Sequence, residues 1–175
     1  MTATRLSRLD TMNDLLLYRL GRVVVTAGSM VVRLCEGQYG ITRREWRLLG
    51  QLAVHPRLAP TALAQSAHLD KARTSRAITS LVEKGLLERQ VNTADRRQAE
   101  VALTDAGRAL YDQLMPRVRR LNHELLAALT GEEVTLLDGL LDRLQRRAQA
   151  MVNEHHAELP KTMRHKGGRQ KGPLA

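Results

Sequence analysis

Phenylalanine is absent from this 175-residue chain, and its only aromatic residues are Trp46, Tyr18, Tyr39 and Tyr111. A core must therefore be aliphatic, which favours leucine-rich helix packing over an aromatic-rich sheet. Cysteine is almost absent too. Cys35 stands alone, so neither an internal disulfide nor a four-cysteine zinc site can form within one chain. No apolar run reaches the roughly eighteen residues that a membrane span needs. The opening residues also lack the basic, apolar, small-residue order of a secretion signal. The expectation is a soluble protein of the reducing cytoplasm, with no membrane partner. Catalytic signatures are missing as well: there is no HExxH, GxSxG or phosphate-loop motif, and His55, His68, His123, His155, His156 and His165 are scattered. An enzyme is not expected, and no cofactor is implied. The neighbouring His155 and His156 offer a transition metal too few ligands for a built site.

What the chain does hold is 43% apolar residues, enough for a core, and a net charge of +10. The charge is uneven: +2 over residues 1–41, +6 over 42–97, −2 over 98–154 and +4 over 155–175. Charge kept for solubility would be spread, whereas a basic middle segment suits a localised polyanion-binding surface. By charge alone, DNA, RNA and an anionic membrane all satisfy that pattern.

From Asp10 to Glu36 apolar residues recur at three- and four-residue steps, which predicts one long helix. Its centre, VVVTAGSMVV, is apolar nearly all round and should be buried on more than one side. Thr42 and Glu45 have capping-box spacing at the head of a helix that Pro56 stops. Pro60 opens a short helix to about Ala67, and Asp70 caps another that Gly85 ends near Lys84. In that second helix Thr74, Ala77, Ile78 and Leu81 share the inner face, leaving Lys71, Arg73, Arg76, Thr79 and Ser80 toward solvent. Two short helices about a tight turn, the second basic and hydroxyl-rich outside, make a helix-turn-helix. For these two helices taken alone, an ordinary helical hairpin with solvated cations is the alternative.

Leu86–Val91 and Glu100–Leu103 then read as strands of a hairpin, or wing, around residues 92–99. Thr104 caps a helix that Pro116 could kink. Thr130 and Glu133 cap a last one whose apolar series runs to Met151. These two helices and the first carry more apolar surface than one small winged unit needs, which predicts a homodimer. From about Glu154 the pattern lapses into a basic, structureless tail.

Two linked motifs carry a family resemblance. DRRQAEVALTDAG, at residues 95–107, places Asp95, Arg97, Leu103, Thr104 and Gly107 in the register D-x-R, alternating strand, L-T-x-x-G. Upstream, LDKARTSRAITSLVEKGLLER places Asp70, Arg76, Leu81, Glu83, Lys84, Gly85 and Leu86 where a recognition helix leads into such a wing. Over residues 10–151 the chain resembles the MarR family of bacterial transcriptional regulators. Ala72 departs from the pattern, since the family often has serine there.

The resemblance implies a mainly α protein with a small β-hairpin wing. Its parts would be an N-terminal dimerisation helix (10–41), a winged helix-turn-helix DNA-binding region (42–103), C-terminal dimerisation helices (104–153) and a flexible basic tail (154–175). Double-stranded DNA is the implied partner. Arg73 and Arg76 suit base edges, Lys71 and Ser75 phosphate or mixed contacts, and Thr79 and Ser80 the DNA backbone. An arginine on a thin hairpin can enter a narrow, electronegative minor groove. Arg97 is placed for that, with Asp95 orienting it and Arg96 meeting phosphate.

The resemblance further implies a repressor, released from a pseudo-palindromic operator by a small organic acid effector, an aromatic carboxylate or phenolic compound. The candidate pocket residues are Tyr18, Arg19, Arg22, Tyr39, Trp46, His55 and Tyr111. Arg19 or Arg22 would pair with a carboxylate, and Tyr39 or His55 would bond a ring substituent. Trp46 also shares a helix face with Leu49 and Ala53, as a core residue would. A non-sensing architectural DNA- or RNA-binding dimer is the alternative. A helical module for protein partners alone would leave the basic winged segment unexplained.

Overall fold

The computed structural model of the chain describes residues 4–91 and 99–155. Its elements follow from local capping and period. After a short helix α1 (Arg5–Arg8) and a 3-10 turn (Met12–Asp14) come α2 (Leu16–Gln38), α3 (Arg43–Val54), β1 (Arg57–Leu58) and α4 (Pro60–Ser66). They are followed by α5 (Lys71–Glu83), β2 (Leu87–Val91), β3 (Ala99–Leu103), α6 (Asp105–Leu126) and α7 (Gly131–His155). The chain divides into two units, Met1–Leu126 and Ala127–Ala175. The fold is mainly α with a small antiparallel sheet, as the sequence patterns predict.

Three details differ from those patterns. The first long helix starts at Leu16 instead of Asp10, because the Asp14 carboxylate accepts from the Thr11 backbone N–H at 2.9 Å and its hydroxyl at 2.7 Å. That side-chain pairing closes a 3-10 turn in competition with the helix. The centre of α2 is also not buried on several sides within one chain: Val25 is 73% and Val24 53% exposed. Finally the wing is part of a three-stranded sheet of order β1-β3-β2, in which the two-residue β1 pairs Arg57 with Ala102 and Leu58 with Val101.

The core lies between α3, α4, α5 and the sheet, closed by Cys35 of α2 and Leu114 of α6. Leu48, Leu49 and Leu52 project from α3 onto Leu63, Ile78, Leu81, Leu87 and Val101. Each such side chain contributes about 1.5–3 kcal/mol when removed from water. The predicted inner face of α5 (Thr74, Ala77, Ile78, Leu81) is buried in this cluster or at its edge. In the second unit, the Thr130–Glu133 capping box starts α7. Leu136, Leu140, Leu144 and Val152 of α7 are exposed.

Candidate nucleic-acid interface and ligand cleft

α4 and α5 are set by their turn. Leu69 N–H donates to the Ala64 carbonyl at 2.9 Å, and His68 takes a left-handed φ of 50°. The Arg47 guanidinium donates to the Ala67 carbonyl, fixing the end of α4 from α3. Asp70 then caps α5 by accepting from Arg73 N–H at 2.8 Å. With its inner face locked in the core, α5 presents Lys71, Arg73, Ser75, Arg76 and Thr79 to solvent.

Two side chains behave differently from the sequence expectation. Ser80, expected toward solvent, is half-buried, and its hydroxyl bonds the buried Glu45 carboxylate. Arg73 is partly engaged, its Nε lying 3.4 Å from Asp70. A residue passed over in the sequence joins this face: Arg89, on β2, donates to the Thr79 hydroxyl at 3.3 Å. Only the packing of β2 beside α5 brings those two together. Asp95, Arg96 and Arg97 lie outside the described residues, as does the tail from residue 156.

The exit from the sheet explains the LTDAG stretch. Thr104 N–H donates to the Leu86 carbonyl at 3.2 Å and its hydroxyl to the Gly85 carbonyl at 2.7 Å, while the same oxygen accepts from Gly107 N–H at 3.0 Å. One threonine thus caps α6 and ties it to the end of α5, where Gly85 adopts a φ of 70° that favours glycine.

The MarR family model matches residues 39–98, the segment that holds α3 to β2. Over that segment the chain is similar to the MarR family. It is 28% identical over 106 residues to an HTH-type transcriptional regulator, YwaE, of Bacillus subtilis, covering 61% of this chain and 62% of that protein. It thus spans less than two thirds of that relative's length. Over 129 residues it is 29% identical to a putative transcriptional regulatory protein for the hcr operon of Thauera aromatica, covering 74% of this chain and 78% of the relative. The apo crystal structure of MarR from Escherichia coli is similar at 29% identity and a TM-score of 0.57, over 71% of this chain and 95% of that one.

The seven ligand candidates do not form one cluster. Trp46 of α3 stacks on Tyr111 of α6, ring centroids 5.3 Å apart at 21°, and the Arg108 guanidinium stands 6.0 Å from the Tyr111 centroid. Tyr39 packs against the core under Arg117, at 5.6 Å. Tyr18 and Arg22 line an open groove along α2 with Leu17 and Val25. Arg19 and Arg22 line another, of about 770 Å³, with Arg5 and Asn13. His55 is exposed at the end of α3. Trp46 and Tyr39 are thus partly buried against the core cluster, for Trp46 the role that its helix position also allowed.

A different cleft joins apolar walls to a cation. About 280 Å³ in volume, it lies between α2 and α6, with Val24, Ala27, Val31, Val118, Leu121 and Leu125 as walls and Arg43 of α3 reaching in. Gly28 makes room for that arginine: a β-carbon there would stand 2.7 Å from Arg43 Nη1. Among the described residues Arg43 has no carboxylate within ion-pair distance. An unpaired, half-buried guanidinium in an apolar wall is suited to an anionic guest. The sequence signal for Arg43 is its place just inside the Thr42–Glu45 capping box, which drew attention to the cap instead.

No described helix is long and apolar enough to cross a membrane. Among the described residues no three histidine, cysteine, aspartate or glutamate side chains are grouped to hold a metal ion.

Proposed function

We propose that this protein is a regulator of the MarR type, a cytoplasmic, non-enzymatic repressor that binds a pseudo-palindromic operator as a homodimer and is released by a small aromatic carboxylate or phenolic compound. The observation that carries the DNA reading is the outer face of α5. It gathers Lys71, Arg73, Ser75, Arg76 and Thr79 on one exposed side, with Arg89 beside it. Such a helix docks in the major groove, where Arg73 and Arg76 reach base edges and Lys71 meets phosphate. Arg97 enters the adjoining minor groove, Asp95 orients it and Arg96 contacts phosphate. The exposed valines of α2 and leucines of α7 support the dimer, since a lone chain leaves them in water. Light scattering then reads about 39 kDa, twice the 19.6 kDa chain; a stable monomer contradicts the assignment.

The Arg43 cleft supports the effector reading better than Arg19 or Arg22 does. Its volume of about 280 Å³ lies just below the usual ligand-pocket range of about 300–1,000 Å³, which suits a guest no larger than a single-ring acid. It adjoins the first turn of α3, so a bound anion would act between the long helices and the DNA-reading unit. Release requires the ligand to prefer the conformation that does not bind DNA.

The deciding experiment selects a duplex from a random pool with the full-length protein, then titrates a panel of aromatic acids and phenols against the complex. Arg76→Ala should cost about 1–3 kcal/mol in binding and relax one base position. Arg97→Ala should weaken binding while preserving the consensus, with steep salt dependence. Parent-like binding by both Arg73→Ala and Arg76→Ala would remove α5 from the interface. A panel without effect on release or thermal stability would leave the non-sensing DNA-binding dimer.

A further inference from the structure

Glu45 is 2% exposed, an acidic side chain set in the core beneath α5. Its Oε2 accepts from Thr42 N–H at 2.6 Å, and both carboxylate oxygens lie 2.9 Å from Lys84 Nζ. Lys84 spends its remaining donor on the Gly40 carbonyl, also at 2.9 Å. The Ser80 hydroxyl bonds the same carboxylate. Two residues from the last turn of α5 are thereby fastened to the first turn of α3 and to the bend at Gly40 that follows α2. An ammonium has three donors, and all three are occupied, so Lys84 has none left for a phosphate.

Such a pair is a poor device for stability, because the cost of desolvating two charges roughly cancels their attraction. It is a good device for direction. α5 has 13 residues, about 20 Å at 1.5 Å per residue, so a tilt of about 5° at Lys84 displaces the first turn by about 1.7 Å. Bidentate contacts to base edges tolerate only about 0.5 Å of misplacement. Contacts to phosphate, made by long flexible side chains in a diffuse field, tolerate far more.

We propose that the Lys84–Glu45 pair, anchored on Gly40, is a positioning device that fixes the tilt at which α5 presents Arg73 and Arg76, and so sets discrimination between DNA sequences without touching DNA. This rests on the reading of α5 as the recognition helix.

The readout is the ratio of affinities for a duplex selected by the full-length parent and for a scrambled duplex of the same composition. The double variant Glu45→Gln/Lys84→Met leaves no unpaired buried charge. Its ratio should fall about tenfold, the worth of roughly one base contact, while affinity for the scrambled duplex and its salt slope stay within about twofold. Lys84→Arg keeps the charge, but its planar fork cannot fill three acceptors around one point, so an intermediate fall is expected. The conservative variant also decides the matter if the double variant does not fold. Ratios within about twofold of the parent for every folded variant would overturn the positioning role and leave a purely structural ion pair. Arg76→Ala separates the two readings: if it lowers the ratio and the pair's variants do not, positioning alone fails. If Arg76→Ala leaves the ratio unchanged, the assignment of α5 fails instead.

Discussion

Gly107 packs directly on the carbonyl oxygen of Leu86, so closely that a β-carbon at position 107 would overlap it. The obstacle is backbone and cannot swing aside as a side-chain end would. The neighbouring Thr104 bonds hold the same two segments from the other side. Gly107→Ala should therefore force the start of α6 off the sheet exit at a cost of about 2–3 kcal/mol. For a chain of this size that is a fall of roughly 5–10 °C in Tm. A parent-like melting curve would show that the junction yields freely.

Gly28 presents the opposite case. There the close neighbour is the tip of Arg43, at 2.7 Å from the missing β-carbon, and a long side chain can move. Gly28→Ala should leave Tm within about 2 °C of the parent but displace the guanidinium from the cleft. Arg43→Leu should do the same more completely. Both should bind the selected duplex normally and lose response to any carboxylate that releases the parent. Full response in Arg43→Leu would move the effector site elsewhere.

The Glu45 carboxyl gives a pH dependence of stability. Burial alone would raise its pKa, but the Thr42 N–H, the Ser80 hydroxyl and Lys84 together outweigh burial and hold it below the ordinary glutamate value. The folded protein therefore binds this proton less readily than the unfolded chain. The stabilisation is complete above the ordinary glutamate range and is lost as pH falls through the depressed folded value. Thermal melts from about pH 7 down to about pH 3 should show parent and Glu45→Gln converging below about pH 4.3. Parallel curves across that range would mean the pair does not titrate as drawn.

Cys35 is fully buried. Burial pushes its thiol up, Glu36 pushes in the same direction, and Arg43 only partly offsets them. Because the thiolate is the reactive form, the native protein should resist an aromatic disulfide reagent at about pH 8 and react at once in denaturant. Rapid reaction of the folded protein would contradict this burial.

How much of this was legible in the sequence depends on how far apart the interacting residues lie. The Thr42–Glu45, Asp70–Arg73 and Thr130–Glu133 caps are contacts three residues long, and helix starts at Arg43, Lys71 and Gly131 could be read from them. The buried stripe of α5 follows from a 3.6-residue period, so its basic outer face was legible too. The 3-10 turn at Thr11 was missed because its side-chain bond competes with a helical period that continues on either side. β1 was missed because two residues carry no period at all.

The site residues found only in three dimensions share one property: their partners are distant in sequence. Lys84 reaches Glu45 across 39 positions and Arg89 meets Thr79 across a reversed chain direction. Trp46 stacks on Tyr111 across 65 positions, while Arg43 enters a cleft through the gap at Gly28. Local hydrogen bonds and hydrophobic period act over one or two turns of chain, so the sequence by itself determined the helices, their order, the basic face of α5 and the family register of the wing motif. Which side chains share a cavity, and which charge is neutralised by which, depends on how the long helices pack on the small core. That packing is a property of volumes and surfaces in contact, and only the tertiary structure decided it.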